Sequence, residues 1–310
     1  MSLPSTIDVA FVNQYQAMIY SLSQQQKSKF SSRVRNEQVA GESKAFDRLG
    51  EAEVEEITTR HPDTPNNEQP HSRRWVTPSD FHTNSYIDKQ DEVKMLINPQ
   101  NQYAQNQARA LGRKTDDLII AAAVGTAATG NTPTTSTVAF KDESVSINGD
   151  GTVTSLGTLA TAAGGGSVAD FGLDKILVML RLFHDADVDE EIPLYWAITP
   201  KDVEDILNVT EIGSADYNTV KALAEGKIER FSGFQFFWST RITKDSATET
   251  AYRSIAWAQD GIIWGSSYGV ESKIDERADK SYITQVYSRM NGGAVRMDGD
   301  KVHECLNKVA

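Results

Sequence analysis

The hydrophobic pattern sets a polar beginning apart from a more apolar remainder. Apolar side chains at Phe11, Tyr15, Ile19 and Leu22 recur every three or four residues in a segment rich in Gln, Ser and charge. That spacing favours a helical stripe, but it supplies too few apolar side chains for a compact core. We therefore predict that residues 1–50 form an extended arm with helical pieces, ordered only on a partner surface. A partly disordered tail is the alternative.

Residues 51–93 have the pattern of a hairpin. Short strand-like runs at 53–57 and 73–76 are separated by a polar stretch that contains Pro62, Pro65 and Pro70. Alternating runs around such a stretch are typical of two strands joined by a long loop. A two-stranded hairpin has little core of its own and is marginal alone. The pattern therefore predicts a protein that associates with copies of itself.

Residues 99–124 form the clearest predicted helix. Pro99 suits the first turn of a helix, and a stripe with 3.6-residue periodicity follows it, made of Ala104, Ala108, Leu111, Leu118 and Ala122. At ~1.5 Å per residue the helix would be roughly 35–40 Å long. Such a helix can serve as the spine of a plate-shaped domain.

The middle of the chain mixes helices with short strands. Weak strands are predicted at 137–140 and 144–147, with turns at 148–149 and 150–151. Asp170 is typical of a helix N-cap. The helix that it predicts, 171–184, has a wide apolar face, made of Leu173, Ile176, Leu177, Leu180 and Phe183. The remaining predictions here are strands at 194–198 and 234–238, helices at 200–207 and 220–224, and a loop at 214–218.

The end of the chain is predicted to be mainly β-structure. Strands are expected at 254–258, 262–264, 282–288 and 293–297. Asp260-Gly261 and Asn291-Gly292 have the composition of turns. Long helices and antiparallel strands thus occupy separate regions, and the fold class is α+β rather than alternating βαβ.

Composition narrows the classes of function. The chain has 31 Lys and Arg against 43 Asp and Glu, a net charge of −12, which argues against tight nucleic-acid binding. Cys305 is the only cysteine, so no intrachain disulfide can form and a reducing site of synthesis is expected. Residues 1–20 lack the pattern of a signal peptide, and the most apolar run, 118–128, is about half of the ~20 residues that a membrane span needs.

One segment imitates a nucleophile elbow. Residues 265–269, Gly-Ser-Ser-Tyr-Gly, match the pattern G-x-S-x-G, with Asp275 and His303 downstream in the order of a hydrolase triad. A serine hydrolase that uses Ser267 is therefore an alternative. The charged sequence after Gly269 favours a turn between strands instead, because the elbow requires a helix there.

Candidate metal and phosphate sites are incomplete. Asp185, Asp187 and Asp189 resemble the opening of an EF-hand loop, but Glu190 and Trp196 stand where the loop needs Gly and a bidentate Glu. No metal-ligand spacing joins the five histidines, which are His61, His71, His82, His184 and His303. The glycines at 164–166 lack a phosphate-loop pattern. We predict no catalytic residue, metal or cofactor, so the chain is expected to act through its surfaces.

Three stretches, taken together and in order, resemble the tailed-bacteriophage major capsid proteins with the HK97-like fold. They are Arg-Arg-Trp-Val-Thr-Pro-Ser-Asp-Phe at 73–81 with Ile-Asp-Lys-Gln-Asp at 87–91, the segments 99–104, 110–117 and 119–123 of the predicted helix, and the segments 207–211, 214–223, 233–234 and 239–241. The resemblance covers roughly residues 50–245. It implies a virion shell subunit, assembled in the host bacterial cytoplasm from hexamers and pentamers around DNA that it does not read. Scaffolding and portal proteins are the implied partners.

The family fold implies a domain plan. It comprises an N-terminal arm at 1–50, an extended loop at 51–93, a peripheral domain at 94–169 and 246–310 with the spine helix 99–124, and an axial domain at 170–245. Some relatives join subunits by a Lys–Asn bond from the loop, but residues 51–88 contain no lysine, so no such cross-link is expected. The residues predicted to contact neighbouring subunits are Arg33, Arg35, Arg73, Arg74 and Trp75. A cellular nanocompartment shell with the same fold is a further alternative.

Overall fold

A computed structural model of the chain describes residues 23–60, 66–88, 100–154, 168–208, 230–244 and 251–309. Its helices are α1 (Gln100–Val124), α2 (Leu173–Asp185) and α3 (Pro200–Asn208). Its strands are β1 (Arg35–Gln38), β2 (Lys44–Leu49), β3 (His71–Val76), β4 (Ser79–Ile87), β5 (Ala127–Thr129), β6 (Ser136–Val138), β7 (Ser146–Ile147), β8 (Leu194–Ile198), β9 (Arg230–Phe231), β10 (Phe234–Trp238), β11 (Ala251–Ala258), β12 (Ile262–Ser266), β13 (Glu271–Arg277), β14 (Ile283–Arg296) and β15 (Val302–Lys308).

Periodic segments are where the structure agrees best with the sequence. The predicted helices 99–124 and 200–207 correspond to α1 and α3, and the strands 194–198 and 234–238 are β8 and β10. The weak strands at 137–140 and 144–147 overlap β6 and β7. The predicted loop 214–218 and helix 220–224 lie outside the described residues, as do the glycines at 164–166.

The chain divides into two compact units, and the boundary between them falls within α1, β4 and β14, so that each of these elements contributes residues to both units. Of the described residues, the smaller unit contains 23–27, 81–88, 100–112 and 270–290, and the larger unit contains the rest. In the smaller unit β13 pairs antiparallel with the first half of β14. There Gln107 of α1 donates from Nε2 to the carbonyl oxygen of Val286 (3.0 Å) and accepts from Ser288 Oγ (2.8 Å). Its amide therefore fixes the beginning of α1 to this pair of strands.

A six-stranded sheet organises the larger unit, in the order β7-β15-β11-β8-β10-β9. Helix α2 packs on it through Ile176, Met179 and Phe183, against aromatic residues such as Trp196 and Phe234. The ring of Phe183 meets that of Phe234 edge to face at 5.7 Å. The sheet contains β8 and β10, from the predicted axial domain, and β11 and β15, from the predicted peripheral domain.

The predicted start and face of α2 are partly wrong. Gly172 is the N-cap, and Asp170 lies outside the helix, with Oδ1 3.8 Å from Lys201 Nζ. Leu177 is 52% exposed, whereas Lys175 is buried. The helix is rotated relative to the prediction because the core accepts the Lys175 side chain, whose amine finds acceptors there.

The turn predicted at Asn291-Gly292 is also wrong, because β14 runs unbroken from Ile283 to Arg296. The adjacent glycines instead permit close packing. A Cβ at Gly293 would lie 2.7 Å from the carbonyl oxygen of Thr77, and one at Gly292 would overlap the Trp264 ring. Glycine inside a strand often marks such a close approach.

The prediction of an arm fails for residues 23–50, which are the described part of the segment 1–50. Phe30 is 1% exposed and its ring stacks on Trp257, with the centroids 5.5 Å apart. Val34 is buried in the same core cluster, together with Ile119 of α1. Phe30 and Val34 are therefore a part of the subunit's own core. Residues 1–22, where the helical stripe was predicted, lie outside the described residues.

Candidate intersubunit surface

The most prominent candidate surface is the end of a hairpin formed by β2 and β3. The two strands pair antiparallel from Lys44 opposite Val76 to Leu49 opposite His71. The amide of Gly50 then donates to the carbonyl oxygen of Pro70 at 2.8 Å. The strand predicted at 53–57 is wrong, because β2 takes the place beside β3 and residues 51–58 form no strand. We call the described residues beyond this base, 51–60 and 66–69, the hairpin tip.

The hairpin tip leaves apolar side chains in solvent. Val54 is 95% exposed and Ile57 is 76% exposed. Asn67 Nδ2 donates to the carbonyl oxygen of Glu53 at 2.8 Å, so the two sides of the tip are hydrogen-bonded across. Residues 51–60 and 66–70 are otherwise almost wholly exposed. A projecting segment with exposed apolar residues and no core of its own is typical of an interaction surface.

Arg73 and Trp75 lie at the base of the hairpin, on its accessible side. Arg73 Nε is 2.5 Å from Asp47 Oδ1, and its guanidinium lies 5.8 Å from the centroid of the Trp75 ring. Their ion pair raises the pKa of Arg73 and lowers the pKa of Asp47. Trp75 Nε1 donates to the carbonyl oxygen of Gly130 at 2.8 Å. Both predicted contact residues thus present partly exposed side chains in fixed positions.

Arg74 points to the opposite side of β3, into the subunit. Its side chain is 2% exposed and forms an ion pair with Glu143. Arg296 Nη2 lies 3.6 Å from Glu143 Oε2, and Arg48 Nη2 lies 4.0 Å from Glu143 Oε1. Burial, with the neighbouring charges of Arg48 and Arg296, lowers the pKa of Arg74 to about 10. Arg74 remains charged at neutral pH, and its guanidinium is engaged within its own chain rather than free for a neighbour.

The basic segment before β1 is also engaged within the subunit. Lys29 Nζ lies 3.3 Å from the centroid of the Trp238 ring and donates to the carbonyl oxygen of Trp238 at 2.8 Å. The guanidinium of Arg33 lies 4.2 Å from the Phe237 ring centroid, and its burial lowers the pKa of Arg33. Arg35 is the more exposed of the two predicted arginines, and its Nε donates to Glu37 Oε1 at 2.9 Å.

An open groove lies beside Arg35. Its volume is about 630 Å³, and Arg35 and Asn36 line it together with three acidic residues, Asp189, Glu191 and Asp260. Lys301 Nζ pairs with Asp260 Oδ2 at 2.5 Å, so one of these carboxylates is already neutralised. The groove is open and has charged side chains in its lining, unlike the enclosed pocket of a small-molecule site.

Two polar contacts made by neighbouring aspartates of α1 were not singled out from the sequence. Asp116 is fully buried in α1 and accepts from Ser28 Oγ (2.5 Å), Lys29 N (3.1 Å) and Phe30 N (3.2 Å). The next residue, Asp117, forms a two-pronged ion pair with Arg241, in which Nη2 lies 2.6 Å from Oδ2. Both aspartates and Arg241 occur in the stretches that carry the family resemblance, which was the available signal.

The hydrolase alternative is wrong. Ser267 follows β12, and the next element is strand β13, not the helix that a nucleophile elbow requires. Gly265 serves packing, since a Cβ there would lie 2.6 Å from Val39 Cγ2 and 2.7 Å from Val76 Cγ1. His303 lies on β15, in a different sheet from β12, where burial lowers its pKa to about 4. Asp275 is exposed on β13.

The described residues contain no group of three or more His, Cys, Asp or Glu side chains placed to hold a metal ion. In the acidic loop after α2, Asp189 Oδ1 accepts from the amide of Glu191 at 3.1 Å, and Asp185 pairs with Arg181 at 3.8 Å. Among the described helices, none has both the length and the apolar character that crossing a membrane requires.

A family model and several solved structures are similar to nearly the whole chain. The sequence model of the phage capsid protein family matches residues 7–309. Among solved structures, the capsid protein of cyanophage P-SCSP1u is 17% identical, with 99% of this chain and 96% of that chain covered and a TM-score of 0.72. The cyanophage Pam1 capsid is 15% identical, with 100% of this chain and 98% of that chain covered and a TM-score of 0.72. The Ralstonia phage GP4 capsid is 12% identical, with 100% of this chain and 98% of that chain covered and a TM-score of 0.68. A search of curated proteins finds no match. These structural likenesses confirm the predicted α+β, HK97-like capsid fold.

Proposed function

The chain belongs to the phage capsid protein family, a family of structural proteins and not of enzymes, and from that premise we propose how it builds the phage head. Copies form hexamers and pentamers, and these capsomers tile a closed icosahedral shell. Each contact between copies is individually weak, and many repeated contacts make the shell stable. The hairpin tip is the main element that reaches a neighbouring subunit.

The observation that carries this proposal is the exposure of Val54 and Ile57 beyond a firmly hydrogen-bonded base. The paired β2 and β3 hold the tip in position, while the tip buries almost nothing against its own chain. Exposed valine and isoleucine side chains stabilise an assembly when a second copy covers them, at roughly 25 cal/mol per Å² of apolar surface. In the domain plan, this tip belongs to the extended loop, α1 to the peripheral domain, and α2 and α3 to the axial domain.

Electron microscopy of the purified protein tests the proposal, first alone and then with a co-expressed scaffolding protein from the same phage. We expect closed shells of uniform size, or six-membered rings. A protein that stays monomeric under both conditions would contradict it.

Variants of the hairpin tip test which surface makes the contact. Val54→Asn with Ile57→Asn removes the exposed apolar area, and we expect an unchanged melting temperature with a loss of closed shells. Thr58→Asn with Thr59→Asn is the matched control, because it changes two exposed residues of the same tip without removing an exposed aliphatic side chain. If the apolar variant assembles as well as the control, the tip is not the contact.

The composition of the loop and of the whole chain supports two further parts of the proposal. Residues 51–88 contain no lysine, so denaturing gels of purified shells should show monomers without covalent oligomers. The net charge of −12 suits a container that encloses DNA without adhering strongly to it. Assembly in the host bacterial cytoplasm, with scaffolding and portal proteins as partners, completes the proposal.

A further inference from the structure

Large apolar side chains that stay exposed are concentrated in two parts of the described chain. Three of the ten belong to the hairpin of β2 and β3 and its tip, and five belong to the smaller unit. The five are Tyr86, Tyr103, Val270, Ile274 and Tyr282. Exposed apolar residues that gather in one region mark an interaction surface more often than single ones do. The smaller unit is therefore a second candidate surface for contact with a partner.

The turn between β13 and β14 has an unusual backbone. Ser281 and Tyr282 follow each other with a φ of 55° at each residue. Bulky side chains rarely adopt this left-handed conformation, which glycine or asparagine adopts at less cost. Tyr282 is nevertheless 60% exposed, and its hydroxyl forms no hydrogen bond with the described residues. The fold of its own chain does not explain the tyrosine, and strain of this kind concentrates at functional sites.

Side chains around the turn fix its position. Arg277 forms a two-pronged ion pair with Asp279, in which both N–O distances are 2.7 Å, and its Nη1 donates to Gln285 Oε1 at 3.2 Å. Lys280 Nζ lies 5.8 Å from the centroid of the Tyr86 ring and forms no ion pair with the described residues. The turn thus presents an exposed tyrosine ring and an amine whose charge no carboxylate neutralises.

The hairpin tip has the complementary chemistry. Val54 and Ile57 are exposed aliphatic residues, and three exposed glutamates lie among them, at 53, 55 and 56. None of these glutamates forms an ion pair with the described residues. Aliphatic side chains of the tip can cover a tyrosine ring, while a glutamate pairs with a lysine amine. Because the tip and the turn are different surfaces, a contact between them on two copies is heterologous, and repeated contacts of this kind close into rings.

We propose that the turn 278–282 of one copy receives the hairpin tip of the next copy, with Tyr282 as the anchor and Lys280 as the partner of a tip glutamate. This inference rests on the proposed function and names the surface on which the tip docks. Tyrosine is among the residues that carry most of the binding energy at interfaces. The fixed turn keeps the ring of Tyr282 exposed before assembly, so docking costs little ordering of that side chain.

A variant of the anchor tests the proposal. Tyr282→Asn removes the ring, and asparagine tolerates a positive φ. We therefore expect the melting temperature of the unassembled subunit not to fall, while electron microscopy should show a loss of closed shells. The matched control is Ser281→Asn, which relaxes the same turn but keeps the ring and should assemble as the wild type does. Lys280→Glu should also lose shells, because it places like charges against the tip. Normal assembly of Tyr282→Asn or of Lys280→Glu would overturn the proposal.

Cysteine cross-linking locates the partner surface without removing the anchor. Cys305 is fully buried, so cysteines introduced at the surface react alone. Subunits with Ser281→Cys and subunits with Thr58→Cys are assembled together, and the shells are treated with a short bifunctional maleimide. We expect dimers that join the two variants, and none in shells made from either variant alone. Closed mixed shells without such dimers would overturn the proposal.

This inference and the proposed function fail in different ways. If Val54→Asn with Ile57→Asn still forms closed shells, the tip is not the contact, and both are overturned. If that variant loses shells while Tyr282→Asn keeps them, the tip docks on another surface of the neighbour, and only the present inference is overturned.

Discussion

The arginine cluster around Glu143 gives the sharpest prediction about stability. Arg74 and Arg296 are buried, with side chains that are 2% and 0% exposed, and Glu143 is the only carboxylate within 4.0 Å of either among the described residues. Arg48 has a second partner, Asp298 Oδ1, at 3.6 Å. Replacing Glu143 with glutamine keeps the shape of the side chain and removes the only negative charge that two buried cations share.

The expected cost follows from that arrangement. Removing one partner of a buried ion pair leaves an uncompensated charge and typically costs about 3–5 kcal/mol. The Glu143 side chain is 16% exposed, so solvent screens the loss only slightly. Repulsion adds to it, because Arg48 and Arg296 already lower the pKa of Arg74. We therefore expect Glu143→Gln to lower the free energy of unfolding by about 3–5 kcal/mol.

Urea denaturation of the unassembled subunit, followed by tryptophan fluorescence, measures this change. The matched control is Glu271→Gln, which removes an ion pair with Arg289 whose two side chains are 44% and 45% exposed. An exposed pair contributes roughly 1 kcal/mol or less. If the two variants lose the same stability, the cluster is not an electrostatic anchor and the reasoning fails.

Three further predictions concern the ionisation of His303, the packing around Gly265 and the burial of Phe30. Folding lowers the pKa of His303 from 6.5 to about 4, which corresponds to about 3 kcal/mol of the free energy of unfolding. This stabilisation should be complete above pH 6.5 and should disappear as the pH falls towards 4. Urea denaturation at pH 7 and pH 4.5 should therefore show a smaller loss of stability at the lower pH for His303→Gln than for the wild type. Gly265→Ala should lower the free energy of unfolding by about 1–3 kcal/mol, because the new Cβ overpacks the core. Gly269→Ala should lower it less, because nothing lies within 4 Å of the new Cβ. Equal melting temperatures for the two variants would refute the packing role of Gly265. Phe30→Ala should destabilise the isolated subunit by about 3–5 kcal/mol, whereas an arm that orders only on a neighbour would leave its thermal melting unchanged.

Elements with strong internal periodicity could be predicted from the sequence alone. Helix α1 could be identified from the helical periodicity of its apolar residues, although only Leu111 of the predicted stripe is buried. Strand β8 could be identified because a strand buried at nearly every residue has one continuous apolar run. Strand β13 could not be predicted, because the sequence Glu-Ser-Lys-Ile-Asp-Glu-Arg has no buried face. Its strand structure comes from pairing with β14. Edge strands of this kind are specified by a partner that local sequence does not show.

The polar contacts within the subunit were equally hidden. Arg74 and Trp75 are neighbours in sequence, and one is buried while the other is accessible because successive side chains of a strand alternate. Which face is buried depends on Glu143, 69 residues away.

The wrong strand prediction at 53–57 is informative about function. The run Glu-Val-Glu-Glu-Ile has the composition of a half-buried strand, yet the subunit leaves it unpaired, with Val54 almost fully exposed. In natural proteins, local preference and final structure usually agree, and departures concentrate where function requires them. An element that lacks its partner within one chain can find it in another, as exposed strand-forming segments do in β-augmentation. We therefore expect the local pattern at 53–57 to describe this segment in the assembled shell better than in the single subunit, because selection acts on the shell that the family builds.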